Sequence, residues 1–138
     1  MANPTLNLTG EKEQIVFGND SVVIRKYGNS LAGGRVLDVT GITEKVLHAG
    51  HIIIKDANGV YKPMPVSDGA YVTPDEKSTD TYVGVLYRSI LTAKPAASIM
   101  TAGVVNEKAL PYAISSIKSA FVAACPHIMF EDDEAVDA

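Results

Sequence analysis

Residues 51–66, HIIIKDANGVYKPMPV, contain the pattern that decides the fold of this chain of 138 residues. Three consecutive isoleucines predict a strand, since β-branched side chains favour extended backbone. The pair Asn58-Gly59 then predicts a type I′ hairpin turn, because both residue types accept positive φ angles. The returning strand meets Pro63 and Pro65, which cannot donate hydrogen bonds to a ladder. We therefore expect that strand to end there or to run along the edge of a sheet.

Further strands are predicted on both sides of this hairpin. The run TYVGVLYRSIL, residues 81–91, is the strongest candidate, because it is apolar on both faces and so suits the centre of a sheet. Another strand is expected to begin at Arg35, and a last short one at HIMF, residues 127–130. The polar stretch SDGAYVTPDEKSTD, residues 67–80, predicts a surface loop.

One helix is predicted in the C-terminal half, over LPYAISSIKSAFVAAC. Pro111 suits its first turn, where the missing N–H would have no partner, and Pro126 stops it. The apolar residues at helical spacing form one stripe: Ile114, Ile117, Phe121 and Ala124. Many strands with a single late helix predict a mainly β chain, of α+β or β-barrel-like arrangement.

The first 33 residues are rich in Asn and Gly and predict an N-terminal β-hairpin arm, in which QIVF and SVVIRKY flank a Gly-Asn-Asp turn. A lone hairpin is marginally stable in water, so it must lie either on its own domain or on the sheet edge of a partner. In the second case the candidate contacts are Ile15, Val16, Phe17, Val22, Val23, Ile24 and Arg25. We divide the chain accordingly into an arm (1–33), a body (34–130) and an acidic tail (131–138).

The charge distribution argues against several classes of function. The chain has 12 basic and 16 acidic residues, and five of the acids lie in the tail EDDEAVDA. The remainder is nearly neutral and has no basic stripe, so nucleic-acid binding lacks its main electrostatic driver. No window approaches the roughly 20 apolar residues of a membrane span. The tail predicts either a solvated terminus or a patch that steers a partner.

No catalytic or metal-binding pattern stands out in the sequence. His48 and His51 are three residues apart in an extended segment, so their side chains are expected on opposite faces, which is a poor geometry for chelation. Cys125 and His127 could form a thiolate pair, but the apolar neighbours AFVAAC favour a buried cysteine at a helix end. A single cysteine forms no internal disulfide, which favours synthesis in a reducing cytoplasm. We expect a protein that is not an enzyme and that needs no cofactor or metal.

Three segments of the chain carry a resemblance. They are GRVLDV with AGHIIIKDANGVYKPMPV, then YVGVLYRSILTAKPAASIMTAGVVNEKALPY, and then the helix that leads to HIMF. Together they cover about residues 33–130, and this stretch resembles the phage head fibre and head decoration proteins of the lambda type. The resemblance implies a compact, tulip-like β domain, commonly a homotrimer. Such a protein sits on the virion head surface, binds the major capsid protein and stabilises the shell.

A second interpretation stays open beside this one. The chain could be a carbohydrate-binding or adhesion module of a head fibre, with a glycan ligand. Such a module would use exposed tyrosines, for which the sequence offers Tyr61, Tyr71 and Tyr82.

Overall fold

The computed structural model describes residues 20–74 and 79–131. The predicted contacts Ile15, Val16 and Phe17 lie outside these ranges, as does the tail beyond Glu131. The fold is mainly β with one helix of more than a single turn, as the sequence predicts. The longest helix in the described ranges has seven residues, whereas a membrane crossing takes about 20.

The described residues form twelve strands, two α-helices and one 3-10 helix. The strands are β1 (Ile24–Ser30), β2 (Arg35–Val36), β3 (Val46–Leu47), β4 (Ile52–Lys55), β5 (Tyr61–Pro63), β6 (Val66–Ser67), β7 (Ala70–Tyr71), β8 (Thr81–Leu86), β9 (Ile90–Leu91), β10 (Ala96–Ala97), β11 (Ile99–Asn106) and β12 (Ile128–Glu131). The helices are α1 (Asp20–Val23), the 3-10 helix (Glu107–Ala109) and α2 (Lys118–Ala124).

One main sheet organises the fold. Its strand order is β1-β11-β8-β4-β5, and β12 adds to it in parallel beside β11. The remaining strands form three small two-stranded sheets, β2–β10, β3–β9 and β6–β7. The prediction that residues 81–91 contain a central strand is confirmed, because β8 pairs with both β11 and β4. Since β1 and β5 do not pair with each other in the described ranges, the main sheet is open there.

In the first hairpin the predicted edge strand is confirmed, whereas the predicted turn type is wrong. β5 is the outer strand of the sheet and ends at Pro63, as the prolines predict. Within the loop only Gly59 has a positive φ, of 83°, so the predicted type I′ turn at Asn58-Gly59 is wrong. Instead, the carboxylate of Asp56 accepts hydrogen bonds from the backbone N–H groups of Asn58 (2.9 Å) and Val60 (3.0 Å). This side chain organises a longer loop.

The predicted surface loop at residues 67–80 contains a second, unpredicted hairpin. β6 and β7 pair through Ser67 and Ala70 and leave two residues between them. Those residues, Asp68 (φ 52°) and Gly69 (φ 78°), both have positive φ, as a type I′ turn requires. The hairpin brings the side chain of Tyr71 into the core, where it is 3% exposed.

The predicted helix is much shorter than expected. It begins at Lys118 instead of Pro111, and residues 110–117 take an irregular path. The reason is a competing tertiary contact, because Ala113 donates to the Gly69 carbonyl (3.0 Å) and accepts from the Tyr71 N–H (3.4 Å). These bonds use backbone groups that a helix would need for itself.

Alternating side chains place an apolar layer on each face of the main sheet. Along β4, Ile52 and Ile54 join one buried cluster, whereas Ile53 joins another. The first cluster is covered by α2, whose Phe121 is fully buried, and by the segment around Ile114. This period-2 alternation is what a strand buried on both faces produces.

Candidate interaction edge

β1 is the outer strand on one side of the main sheet. It runs antiparallel to β11, and no other described strand pairs with its far side. The five residues 25–29 are all exposed. An outer strand of this kind presents a row of backbone donors and acceptors to a partner chain. We call residues 24–30 the interaction edge.

The predicted arm overlaps this edge, but its secondary structure differs from the prediction. The predicted second hairpin strand, SVVIRKY, is wrong over its first three residues, because α1 spans Asp20–Val23 and the strand begins at Ile24. Val23 and Ile24 are buried in the core, whereas Val22 is 44% exposed and Arg25 is exposed. Of the described candidate contacts, therefore, only Val22 and Arg25 present side chains at the surface.

Val23 is buried because Gly50 leaves room for it. A Cβ placed on Gly50 would come within 2.6 Å of a Val23 methyl group. The α1 turn therefore anchors the start of the edge strand to the body. Sequence reasoning missed this contact, because α1 and Gly50 are far apart in the chain.

Two glycines seat β1 closely on β11. A Cβ on Gly28 would lie 2.7 Å from the Ala102 carbonyl oxygen. Gly103 has a φ of 154°, and a Cβ there would overlap the Lys26 carbonyl oxygen. The pairing also shifts register at three points along β1. Such irregularities bend and twist an edge strand, which makes it a poor template for flat self-association.

A row of aromatic and cationic side chains begins on the interaction edge and continues beyond the end of β8. The ring of Tyr27, 46% exposed, is 4.9 Å from the ring of Tyr87, centroid to centroid. The Arg88 guanidinium lies 5.4 Å from the centre of the Tyr87 ring. Tyr and Arg are enriched among the residues that dominate binding energy at protein interfaces. Sequence reasoning missed this row, since only the pairing of β1 with β11 brings Tyr27 near the end of β8.

The three tyrosines expected to bind a glycan do not form an exposed platform. Tyr71 is buried, so the expectation that it is exposed is wrong. The ring of Tyr61 has the guanidinium of Arg35 at 5.4 Å and the ammonium of Lys55 at 5.8 Å. Tyr82 is half-buried, and its hydroxyl group is enclosed.

The lone cysteine is a buried residue at a helix end, as predicted. Cys125 directly follows α2, and its N–H donates to the Phe121 carbonyl at 2.8 Å. Burial raises the pKa of the Cys125 thiol to about 11. His127 is exposed. The thiol is therefore protonated at neutral pH, which disfavours a thiolate pair with this histidine.

The two neighbouring histidines differ sharply in environment. His48 is exposed, whereas His51 is 3% exposed. Within the described ranges no group of three or more His, Cys, Asp or Glu side chains is placed to hold a metal ion. The expectations of no enzymatic activity, no cofactor and no metal stay predictions.

Comparisons with protein-family models, with curated proteins and with solved structures find no match to this chain. The likeness to phage head decoration proteins therefore depends on the sequence segments quoted above. A function for the interaction edge has to be argued from its own geometry.

Proposed function

We propose that this chain is a structural virion protein that binds the outer surface of a phage head. Its partner is the major capsid protein, and it stabilises the shell through protein–protein contacts. One observation carries most of the proposal: β1 is an exposed outer strand with interface-type side chains beside it. The sequence resemblance supplies the identity of the partner.

The edge supports attachment by strand addition. A strand or extended loop of the capsid protein pairs with the backbone of residues 24–30, and its side chains contact Tyr27 and Arg88. Backbone pairing provides affinity in this mode, and side-chain pockets provide specificity. A stable contact of this type buries about 800 Å² on each partner.

The segment before the edge extends the proposed contact. In sequence, residues 1–23 immediately precede β1, the strand that would pair with the capsid. Ile15, Val16, Phe17, Val22 and Arg25 stay our candidates for additional contacts with the capsid protein. A homotrimer would present three such edges at once, and linked weak contacts raise the overall affinity strongly.

Binding to heads tests the proposal directly. Heads that lack this chain are mixed with the purified full-length protein, and the bound fraction is measured by co-sedimentation over a range of protein concentrations. We expect saturable binding. Tyr27→Ala should weaken it by roughly 30-fold or more, which corresponds to a residue worth about 2 kcal/mol at an interface.

Tyr61→Ala is the matched control, because it removes another partly exposed tyrosine that lies on the opposite edge strand, β5. It should leave head binding unchanged within about threefold. Absence of binding to heads, or equal losses in the two variants, would contradict attachment through β1. Binding to glycans without binding to heads would favour the adhesion module instead.

A further inference from the structure

A buried histidine contacts two tyrosine rings, one of which belongs to the β6–β7 hairpin. His51 lies 5.4 Å from Tyr71 and 5.5 Å from Tyr112, ring centroid to ring centroid, and both contacts are edge-on. Tyr71 and Tyr112 are themselves 5.8 Å apart. We call these three residues the His51 cluster. Neither the proposed function nor the interaction edge uses it.

The hydrogen bonds of His51 fix which nitrogen carries the proton. Its Nε2 lies 3.0 Å from the Met64 carbonyl oxygen. Since a carbonyl only accepts, Nε2 must donate, and the neutral ring then has a bare lone pair on Nδ1. That Nδ1 is buried and has no hydrogen-bond partner among the described residues. A second proton would therefore add an unpaired charge inside an apolar, aromatic site.

The cluster connects the main sheet to a separate layer of the fold. We define the loop layer as residues 66–71 together with residues 110–117. Its two parts are tied together by the backbone bonds between Gly69, Ala113 and Tyr71. The Tyr71 hydroxyl oxygen accepts from the Ile52 N–H at 3.0 Å. The His51 bond to the Met64 carbonyl and the Met64 N–H bond to the Ile52 carbonyl (2.9 Å) add polar links between residues 51–52 and the chain that enters the layer.

We propose that His51 is an acid-sensitive latch, whose protonation at Nδ1 releases the loop layer from the main sheet. The physical basis is the cost of placing a charge where the aromatic rings exclude water. Opening the layer hydrates the imidazolium and removes that cost. This latch acts within the fold of the chain and requires no binding to phage heads.

Four titratable groups face His51 from the elements packed around it. Tyr71 and Tyr112 contact the ring from the loop layer, and burial raises the pKa of both phenols, so they stay neutral in acid. Glu44 favours the charged imidazole, whereas His48 opposes it. The residue after β5 and the end of β8 contact His51 through uncharged backbone groups, namely the carbonyl of Met64 and the N–H of Leu86.

The balance of these effects determines the direction of the pH response. Burial is the largest influence and lowers the pKa of His51 below its ordinary value of 6.5. The open state, in which the ring is hydrated, therefore binds more protons than the closed state at pH values below about 6.5. Above that pH the His51 ring is neutral in both states, so protonation does not oppose closing of the latch. Its closing constant falls by up to tenfold for each pH unit below 6.5, until the lowered pKa of the closed state is reached.

Hydrogen–deuterium exchange on the full-length protein tests the latch. Peptides from the loop layer and from β8 are compared at pH 7.5, 6.0 and 5.0, after correction for the intrinsic pH dependence of exchange. We expect protection of the loop layer to fall between pH 6.0 and 5.0, by about tenfold at most, while β8 keeps its protection. His51→Gln, whose amide can still donate to Met64, should abolish this difference, whereas His48→Gln should preserve it.

An NMR titration of the wild-type imidazole groups keeps the test decisive if His51→Gln does not fold. A pKa of His51 at or above 6.5 in the folded protein would overturn the latch. So would loop-layer protection that is equal at pH 7.5 and pH 5.0, or a pH response in a folded His51→Gln variant that matches the wild type. A pKa of His51 below 6.5 together with selective acid loss of loop-layer protection would support it.

Discussion

Substitution of Gly103 by alanine should detach the interaction edge from the main sheet. Gly103 lies on β11 opposite Tyr27, and its φ of 154° lies in a region that residues with a side chain rarely adopt. A Cβ at this position would overlap the Lys26 carbonyl oxygen and would lie 2.7 Å from the Met100 sulfur. The carbonyl belongs to the backbone of β1, so it can move away only if the strand moves.

The expected cost has two parts. Holding a non-glycine residue at such a φ costs about 1–3 kcal/mol. Overpacking against a strand and a buried methionine adds about 1–3 kcal/mol. The free energy of unfolding should therefore fall by about 2–6 kcal/mol, which is a large part of the stability of a domain of this size.

Gly41→Ala is the matched control. Gly41 also has a positive φ, of 84°, but a Cβ there would meet nothing within 4 Å. Its substitution should cost only the backbone part, about 1–2 kcal/mol.

Urea denaturation followed by far-ultraviolet circular dichroism suits a chain without tryptophan. A loss of 2 kcal/mol shifts the urea midpoint by about 1 M at a slope of about 2 kcal/mol/M. Equal costs in the two variants would refute the close seating of β1 on β11.

Three further substitutions or reactions test other parts of the fold. Tyr71→Phe leaves the buried N–H of Ile52 without its acceptor and should cost about 1–3 kcal/mol by urea denaturation, whereas Tyr61→Phe should cost under about 0.5 kcal/mol. Asp56→Ala removes two hydrogen bonds from the first hairpin loop and should lower stability by about 1 kcal/mol. Faster amide hydrogen exchange in β5 should report this loss. Cys125 should react with a thiol reagent roughly a hundredfold more slowly at pH 8 in the folded protein than in denaturant, because burial raises its pKa to about 11. Comparable rates would show that the cysteine is accessible.

The turns show how far local sequence determines this structure. Asn58-Gly59 and Asp68-Gly69 are both favourable pairs for a type I′ turn, yet only the second forms one. At the first, the Asp56 carboxylate binds two backbone N–H groups and stabilises a longer loop. The turn pair alone therefore does not determine the turn type, since an aspartate two residues before it changes the outcome.

The extent of the helix and the presence of the second hairpin differ from the sequence prediction for one shared reason. Three members of the predicted stripe, Ile114, Ile117 and Phe121, are buried as its spacing predicts, whereas the fourth, Ala124, is exposed. Residues 110–117 are nevertheless not helical, because their backbone bonds with the β6–β7 hairpin. A pairing between segments so distant in the chain leaves no local signal, so the periodicity predicts the burial of three of its four residues correctly and the backbone conformation of residues 110–117 wrongly.

At the interaction edge, too, the sequence predicts the tendency to form a strand but not the side-chain contacts that depend on its pairing. The sequence predicts β-prone runs in residues 1–33 that must pack on a sheet, either of this chain or of a partner. In the structure, β1 pairs with β11 of its own chain. The row of exposed Tyr27, half-buried Tyr87 and exposed Arg88 could not be predicted from the sequence, because it forms only when β1 lies beside β11.

The two outer strands of the main sheet differ in their capacity to accept a partner. On β5, Pro63 lacks an N–H, and Pro65 follows just beyond the strand, so main-chain pairing along that side is interrupted. β1, with the sequence IRKYGNS, contains no proline and keeps every backbone donor. Its bulges and its two basic residues still disfavour pairing with a second flat edge of the same kind. A partner that adds a strand to this sheet is therefore directed to β1, and it must supply both a matching twist and side chains that complement Tyr27 and the basic residues.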